Sequence, residues 1–561
     1  MRNSSSLDWL RFMHTPNDYR VSQGISYHRI GEKTRKGKNT FLFLYHRNRK
    51  HTIIMKRLAT LFILTILVTT AGFAKPKHKD LSGNIAIKGE LTKEYQQSPA
   101  GTPVIIRRVV KMNNPGENSD NIYYAVEVNG IQETIPSDEM GIIAISAPET
   151  DREFWQQIYL KNHLYEYFND RGYKHKLRQE IDEECLDYLD KLNEIAYQDD
   201  YITSYVQGIF SKLNATTIDS NRGESLNIRI IQSPEPDAFM LPNGSMVIST
   251  GLLCTLDSED ELAAVIACEL GHFVLDHQVN NIYRAERRAK RAAFWADVFA
   301  TTASAALDVA YWDDNEDAYA VSLVADIGAI ASLLSIPATD RLGMKYKTSQ
   351  EISSDRLARQ LLAFKGYNPD GIASALSKII GYYNLHQRNK DIPRYGSIGD
   401  LQKRIEKAGE SHSLSARPYL RTTSDVVSFN ASMNYANKRY KETARLIRKN
   451  IDNRLATDND YIILVKAEMA LSNTEEVNNR CLAMLDKAQE MAGTSPNLDI
   501  YKQKILLLMR MNKQAQAADI LKEYITLLSA YEGQGIEGTE KEWTNKEIGW
   551  ANQMLDRISR I

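Results

Sequence analysis

The stretch that most constrains this chain is "LAAVIACELGHFVLDH", residues 262–277. It predicts a helix, and its apolar lead-in places that helix against a core. A buried carboxylate such as Glu269 is costly unless it is paired, so the run asks for a site around it. Cys268 and His272 are four apart, which puts both side chains on one helical face, within reach of one metal ion. Glu269 follows Cys268 and can point to the open side of such a metal, where a carboxylate takes a proton from bound water. Cys268 has a second reading, a small apolar residue on a packed helix. Zinc accepts cysteine sulfur as readily as histidine nitrogen, so the cysteine does not exclude a metal.

A catalytic zinc needs a third protein ligand. The best candidate lies in "SQEISSDRLARQLLAFKGYNPDG", where Glu351 and Asp355 are again four apart on one face. Glu351 would bind the metal and Asp355 would orient a metal-bound side chain. Taken alone, the two carboxylates would be a solvated helix face, as would the run "ERRAKR".

The 561 residues exceed what one compact domain needs, and 43% of them are apolar, enough for real cores. A net charge of −1 excludes a global basic surface, so no nucleic-acid partner is expected. Cys185, Cys254, Cys268 and Cys481 are too few and too scattered for a disulfide framework or a cysteine-rich zinc module.

From Met55 the chain reads as a signal peptide over 55–74: Lys56 and Arg57, an apolar run from Leu58 to Thr70, then Gly72-Phe73-Ala74. A buried strand or a membrane anchor is the alternative, but the run is shorter than the ~20 residues of a span. Such a signal works at a chain's start, so residues 1–54 read as a non-native upstream extension. No cysteine follows the apolar run, which argues against a lipid anchor. Export would make the mature chain periplasmic or membrane-associated, with a membrane surface among its compatible partners.

Residues 82–148 look β-rich, with Asn129-Gly130 as a hairpin turn, and fit a small Src-homology-type β-barrel. Residues 151–213 change to helical spacing. "SLNIRIIQSPEPDAFMLPNGSMVISTGLL" reads as a strand, a turn at Pro242-Asn243-Gly244 and a second strand. An Ala-rich apolar helix around Asp326 reads as buried or interfacial rather than membrane-spanning. Residues 425–556 read as helical hairpins whose spacing loosely resembles tetratricopeptide repeats. They are either a cap on the preceding domain or a concave partner-binding surface. The fold class is therefore mostly α with small β elements.

Three blocks, "PDAFMLPNGSMVISTGLL", "DELAAVIACELGHFVLDH" and "EISSDRLARQLLAFKGYNPDG", together resemble the gluzincin family that includes BepA, HtpX and the CAAX prenyl endopeptidases. They occur in the family's order over roughly residues 195–410. The resemblance implies a zincin-like α+β metallopeptidase domain over 151–415 and a zinc cofactor. Cys268 takes the first His ligand position, His272 the second and Glu351 the third. Glu269 is the base, Asp355 the acidic residue four places on, and His277 a histidine beside the ligands. Gly244, Ser245, Met246 and Val247 fall on the edge strand where such enzymes lay a protein or peptide substrate by β-addition. The leader and trailing helices resemble the BepA branch. That branch implies a secreted zinc metalloendopeptidase acting on envelope proteins, with envelope assembly partners at the C-terminal helices.

The departures are Cys268 for His, Thr348 where relatives have Arg, and Ile392-Pro393 where they have His-Pro. A thiolate/His/Glu set brings a zinc site near neutrality, so bound water would be less acidified and hydrolysis weakened. A catalytically impaired pseudopeptidase, chaperone-like or a scaffold, is the alternative.

Overall fold

Alternating residues in "IKGEL" give a strand with one wet and one buried face: Ile87, Gly89 and Leu91 point inward. It belongs to the first of two sheets in a computed structural model. The structure describes residues 78–112, 121–168, 173–214, 226–286, 344–386, 397–409, 417–493, 496–533 and 538–560. The expected extension and signal peptide, the Asp326 helix and Ile392-Pro393 lie outside these residues.

The first sheet holds β1 (His78–Asp80), β2 (Ile87–Leu91), β3 (Pro103–Met112), β4 (Asn121–Val128), β5 (Ile131–Pro136) and β6 (Ile143–Ile145). Its antiparallel order is β5-β4-β3-β2-β6, with β1 added to β3. Asn129 and Gly130 turn β4 into β5 with φ of 50° and 78°, the left-handed pair that a tight hairpin requires. Val104, Ile106, Val126 and Ile135 pack inward with Leu160 and Tyr165 from the segment that follows. The path ends at β5 and β6, which do not pair with each other among the described residues.

The lead-in helices are α1 (Asp151–Lys161), α2 (Tyr173–Glu180), α3 (Asp182–Leu192) and α4 (Asp200–Leu213). Thr150 caps α1 by accepting the Glu153 amide. The helical run "REFWQQIYLKNHLYEYF" breaks where His163 takes a φ of 56°, then resumes as a 3-10 turn, Tyr165–Phe168.

The second sheet has three strands where the sequence suggested two: β7 (Ile228–Ile231), β8 (Ala238–Met240) and β9 (Met246–Ser249). β7 and β9 run parallel, β8 and β9 antiparallel, and the order is β7-β9-β8. Then come α5 (Thr250–Thr255), α6 (Glu259–Val274), α7 (His277–Glu286), α8 (Thr348–Lys365), α9 (Gly371–Leu385) and α10 (Ile398–Ala408). A capping box between Ser258 and Glu261 starts α6. α6 is the central element, packed by α8, α9, α4 and β8. It passes the length and hydropathy requirement for a membrane span only as a bent pair with α7. Its burial inside the domain accounts for that hydropathy.

The C-terminal region is α11 (Arg417–Ala436), α12 (Tyr440–Asp452), α13 (Asp458–Leu471), α14 (Glu475–Ala492), α15 (Leu498–Arg510), α16 (Gln514–Glu532) and α17 (Thr539–Ser559). Each helix packs on the next, and α11 and α15 also reach α13. The start of this stack shares the main core: Tyr419, Val426, Ala431, Leu446 and Ile447 pack in one cluster with α6. Tyr419 donates to the Leu253 carbonyl at 2.8 Å, and Lys449 donates to the carbonyls of Cys254 and Leu256 at 2.7 and 2.6 Å. The chain is thus mostly helical with small β elements.

Candidate active site

The site is assembled by the close crossing of α6 and α8. Gly271 permits it: a Cβ there would run into the Ser354 hydroxyl and lie 3.0 Å from the Ser354 carbonyl oxygen. Ser354 also donates its hydroxyl hydrogen to the Cys268 carbonyl. The crossing sets Glu351 and Asp355 of α8 opposite His272 and Cys268 of α6.

His272 and Glu351 meet, with Nε2 and Oε2 3.3 Å apart. The other ring nitrogen of His272 lies 3.0 Å from His277 Nδ1, and His277 Nε2 lies 3.3 Å from Ser353 Oγ. Tyr346 stacks on the His272 ring at 3.6 Å between centroids and 22° between planes. The ring orientation of His272 is therefore held from three sides.

Cys268 goes elsewhere. Its thiol donates to Asp355 Oδ1 at 3.2 Å. Burial, and then the Asp355 charge, push the thiol well above the usual cysteine range, so it stays protonated. Asp355 is held in turn by Arg404, through Nε to Oδ2 at 2.8 Å and Nη2 to Oδ1 at 2.7 Å. Nη1 of the same guanidinium is 2.8 Å from Glu351 Oε2. Burial alone would raise the Glu351 carboxyl, but Arg404 and His272 outweigh it and hold the group below its usual range.

Glu269 is the exception to this pairing. Burial raises its carboxyl to about 7, with His272 opposing and Glu351 adding to the shift. The Met240 backbone hydrogen-bonds to it, while Oε2 is buried without a partner. Glu269 faces a cleft shared with Cys268, Glu351, Arg404, Tyr346, Ala238 and Phe239, and closed on the far side by Ile372, Leu376 and Ile379 of α9.

The strand expected at the cleft is corrected. Gly244 and Ser245 lie in the turn before β9, Gly244 with φ 92°. Met246 and Val247 lie in β9, which is the middle strand, because β7 takes its second edge. None of the four lines the cleft; Ala238 and Phe239 of β8 do. Thr348 starts α8 and donates its hydroxyl to Asp400 of α10 at 3.0 Å.

Sequence reasoning missed Arg404 and Tyr346. Arg404 left a trace, since it falls on the buried stripe of α10 between Leu401 and Ala408. An arginine inside an apolar stripe implies a buried carboxylate. Tyr346 left none.

Among the described residues, no three His, Cys, Asp or Glu side chains are grouped to hold a metal ion. The 3.3 Å between His272 and Glu351 suits two ligands sharing a tetrahedral zinc, each about 2.0–2.2 Å from it. The third does not follow: the Cys268 sulfur is turned to Asp355, and a guanidinium already occupies Glu351. As arranged, the set does not fit zinc.

A carboxyl raised to about 7 by burial, beside a His-Glu pair in a cleft, marks a candidate functional site. Residues 203–430 match Peptidase family M48. The matched segment runs from α4 into α11 and contains every residue of the cleft. An 80-residue stretch, 14% of this chain, is 35% identical to the mitochondrial metalloendopeptidase OMA1 of Schizosaccharomyces pombe and covers 23% of that protein. A 72-residue stretch, 13% of this chain, is 39% identical to the protein of that name in Arabidopsis thaliana and covers 15% of it. The chain spans less than a quarter of the length of these curated relatives.

Proposed function

We propose that the M48 segment engages a protein or peptide chain along the outer edge of β8 and hydrolyses it slowly, with Glu269 as general base. The observation that carries this reading is the Glu269 carboxyl, set at about 7 with one unpartnered oxygen in the cleft. A base is most effective when its pKa lies near the working pH, because it is then part-ionised yet still basic. Glu269 can take a proton from a water attacking a peptide carbonyl and deliver it to the departing amine.

The edge of β8 supports the same reading. Asp237 and Leu241 bond inward to the β9 side, so Ala238 and Met240 direct their backbone groups outward. Met240 is engaged by Glu269 and by Gln278 Nε2 at 3.2 Å. Ala238 lines the cleft beside them, where an added strand would pass the base.

Zinc dependence is general among M48 peptidases, and Cys268, His272 and Glu351 are the residues a metal would have to recruit. In the finer assignment, we read the protein as BepA-like and exported. Its first sheet is then a Src-homology-type barrel, and its helix stack a tetratricopeptide-like surface for envelope assembly proteins. The sequence blocks and the signal-like run from Met55 support that assignment.

The test is hydrolysis of an unstructured protein by the purified chain. Slow cleavage that Glu269→Gln abolishes is expected; equal cleavage by both proteins defeats the reading. A pseudopeptidase is the second reading, favoured by the commitment of Cys268 to Asp355 and of Arg404 to Glu351. It predicts peptide binding with no cleavage.

A further inference from the structure

We propose that Arg404 is the resident cation of this cleft and that a divalent metal ion competes with it for Glu351. The inference rests on the M48 reading of the cleft, but its test needs no hydrolysis.

One guanidinium serves two carboxylates. Its fork grips Asp355 through Nε and Nη2, and Nη1 is left for Glu351. The planar five-donor geometry of arginine makes that double engagement possible. The oxygen that Nη1 holds is Glu351 Oε2, the same one that faces His272 Nε2 at 3.3 Å. A metal bound to His272 and Glu351 needs that oxygen and would meet a positive charge on it.

Arg404 is held there by its helix. α10 is fastened to α8 on both sides of Arg404: Thr348 donates to Asp400 near the start, and Arg359 donates to the Ala408 carbonyl at the end. Leu401 and Ala408 are buried on the same stripe. The guanidinium is therefore delivered to the two carboxylates by a helix fastened at both ends. The Cys268 sulfur completes the arrangement, since it lies 3.2 Å from Asp355 Oδ1, the oxygen that Arg404 Nη2 also holds. Metal binding must break the Nη1 contact and free the sulfur, while the fork on Asp355 can persist.

The experiment is a cobalt(II) titration of the purified full chain, reading the thiolate-to-cobalt charge-transfer absorption from Cys268. Wild type is expected to bind weakly. Arg404→Gln removes a cation beside the metal and should bind cobalt on the order of tenfold more tightly. Cys268→Ser in that background should lose the absorption. Circular dichroism checks the fold. If Arg404→Gln does not fold, Arg359→Ala and Thr348→Val loosen α10 without touching the cleft and should tighten binding in the same direction. Equal or weaker cobalt binding in the folded variants overturns the proposal. Absence of cleavage by wild type would count against the hydrolytic reading only.

Discussion

Two buried arginines flank α6, and they do different things. Arg178 of α2 and its partner Asp276 are both fully buried, 2.8 Å apart. Arg178 also donates to the carbonyls of Pro242 and Phe273, and its guanidinium carbon lies 4.1 Å from the centre of the Phe273 ring. Tyr167 donates to Asp276 at 2.6 Å. Among the described residues, this cation contacts the Asp276 carboxylate and two backbone carbonyls. The pair joins the lead-in helices, the turn at Pro242 and the end of α6, and it takes no part in lining the cleft. Arg404 meets two carboxylates and reaches the cleft. Its single positive charge leaves negative charge in excess, beside a glutamate with an unpartnered oxygen. Burial of an arginine is common to both sites; what separates a structural pin from a reactive site is the charge left over.

The largest expected effect tests the pin. Arg178→Met strands Asp276 in the interior and should cost about 3–5 kcal/mol in urea unfolding. The same change at Arg404 should cost less in the presence of a divalent metal, which can take the cation's place. Equal, metal-independent losses would erase the distinction. The next effect is catalytic. Cys268→His places a second imidazole one helical turn from His272 and should raise peptide hydrolysis; Glu269→Gln in that background should lower it by about 100-fold or more. A Cys268→His protein no more active than wild type would show that the cysteine is not what limits the site. Gly271→Ala pushes α8 away from α6 and should cost about 1–3 kcal/mol. It should also disturb cobalt binding, whereas a change at the Arg178 pin that leaves the fold intact should not. The smallest effect is Tyr167→Phe, worth about 1 kcal/mol in thermal unfolding, since Arg178 still holds Asp276. A loss as large as that of Arg178→Met would mean that the tyrosine, not the ion pair, carries the pin.

The cleft was legible in part. The spacing of Cys268 and His272, and of Glu351 and Asp355, placed each pair on its own helix face, because a helix repeats every 3.6 residues whatever surrounds it. The Asn129-Gly130 hairpin was legible for a similar local reason, the left-handed backbone those residues tolerate. Partner choice was not. Cys268 sits one turn from His272, yet its sulfur turns to Asp355, because the carboxylate held by Arg404 is the acceptor within reach. Met246 and Val247 belong to a four-residue strand buried at every position, and pairing partners that distant in sequence are not written in so short a run.

The sequence by itself determined the main helices, the first sheet's main hairpin and the helix faces that carry Cys268, Glu269 and Glu351, since these follow from short-range periodicity and turn chemistry. Tertiary structure decided which strand is the edge, through the parallel pairing of β7 with β9. It decided the charge of the site as well, through Arg404, which reaches Asp355 across 49 residues of chain. A contact of that span depends on how helices cross, and the crossing of α6, α8 and α10 is settled by the packing of the whole domain.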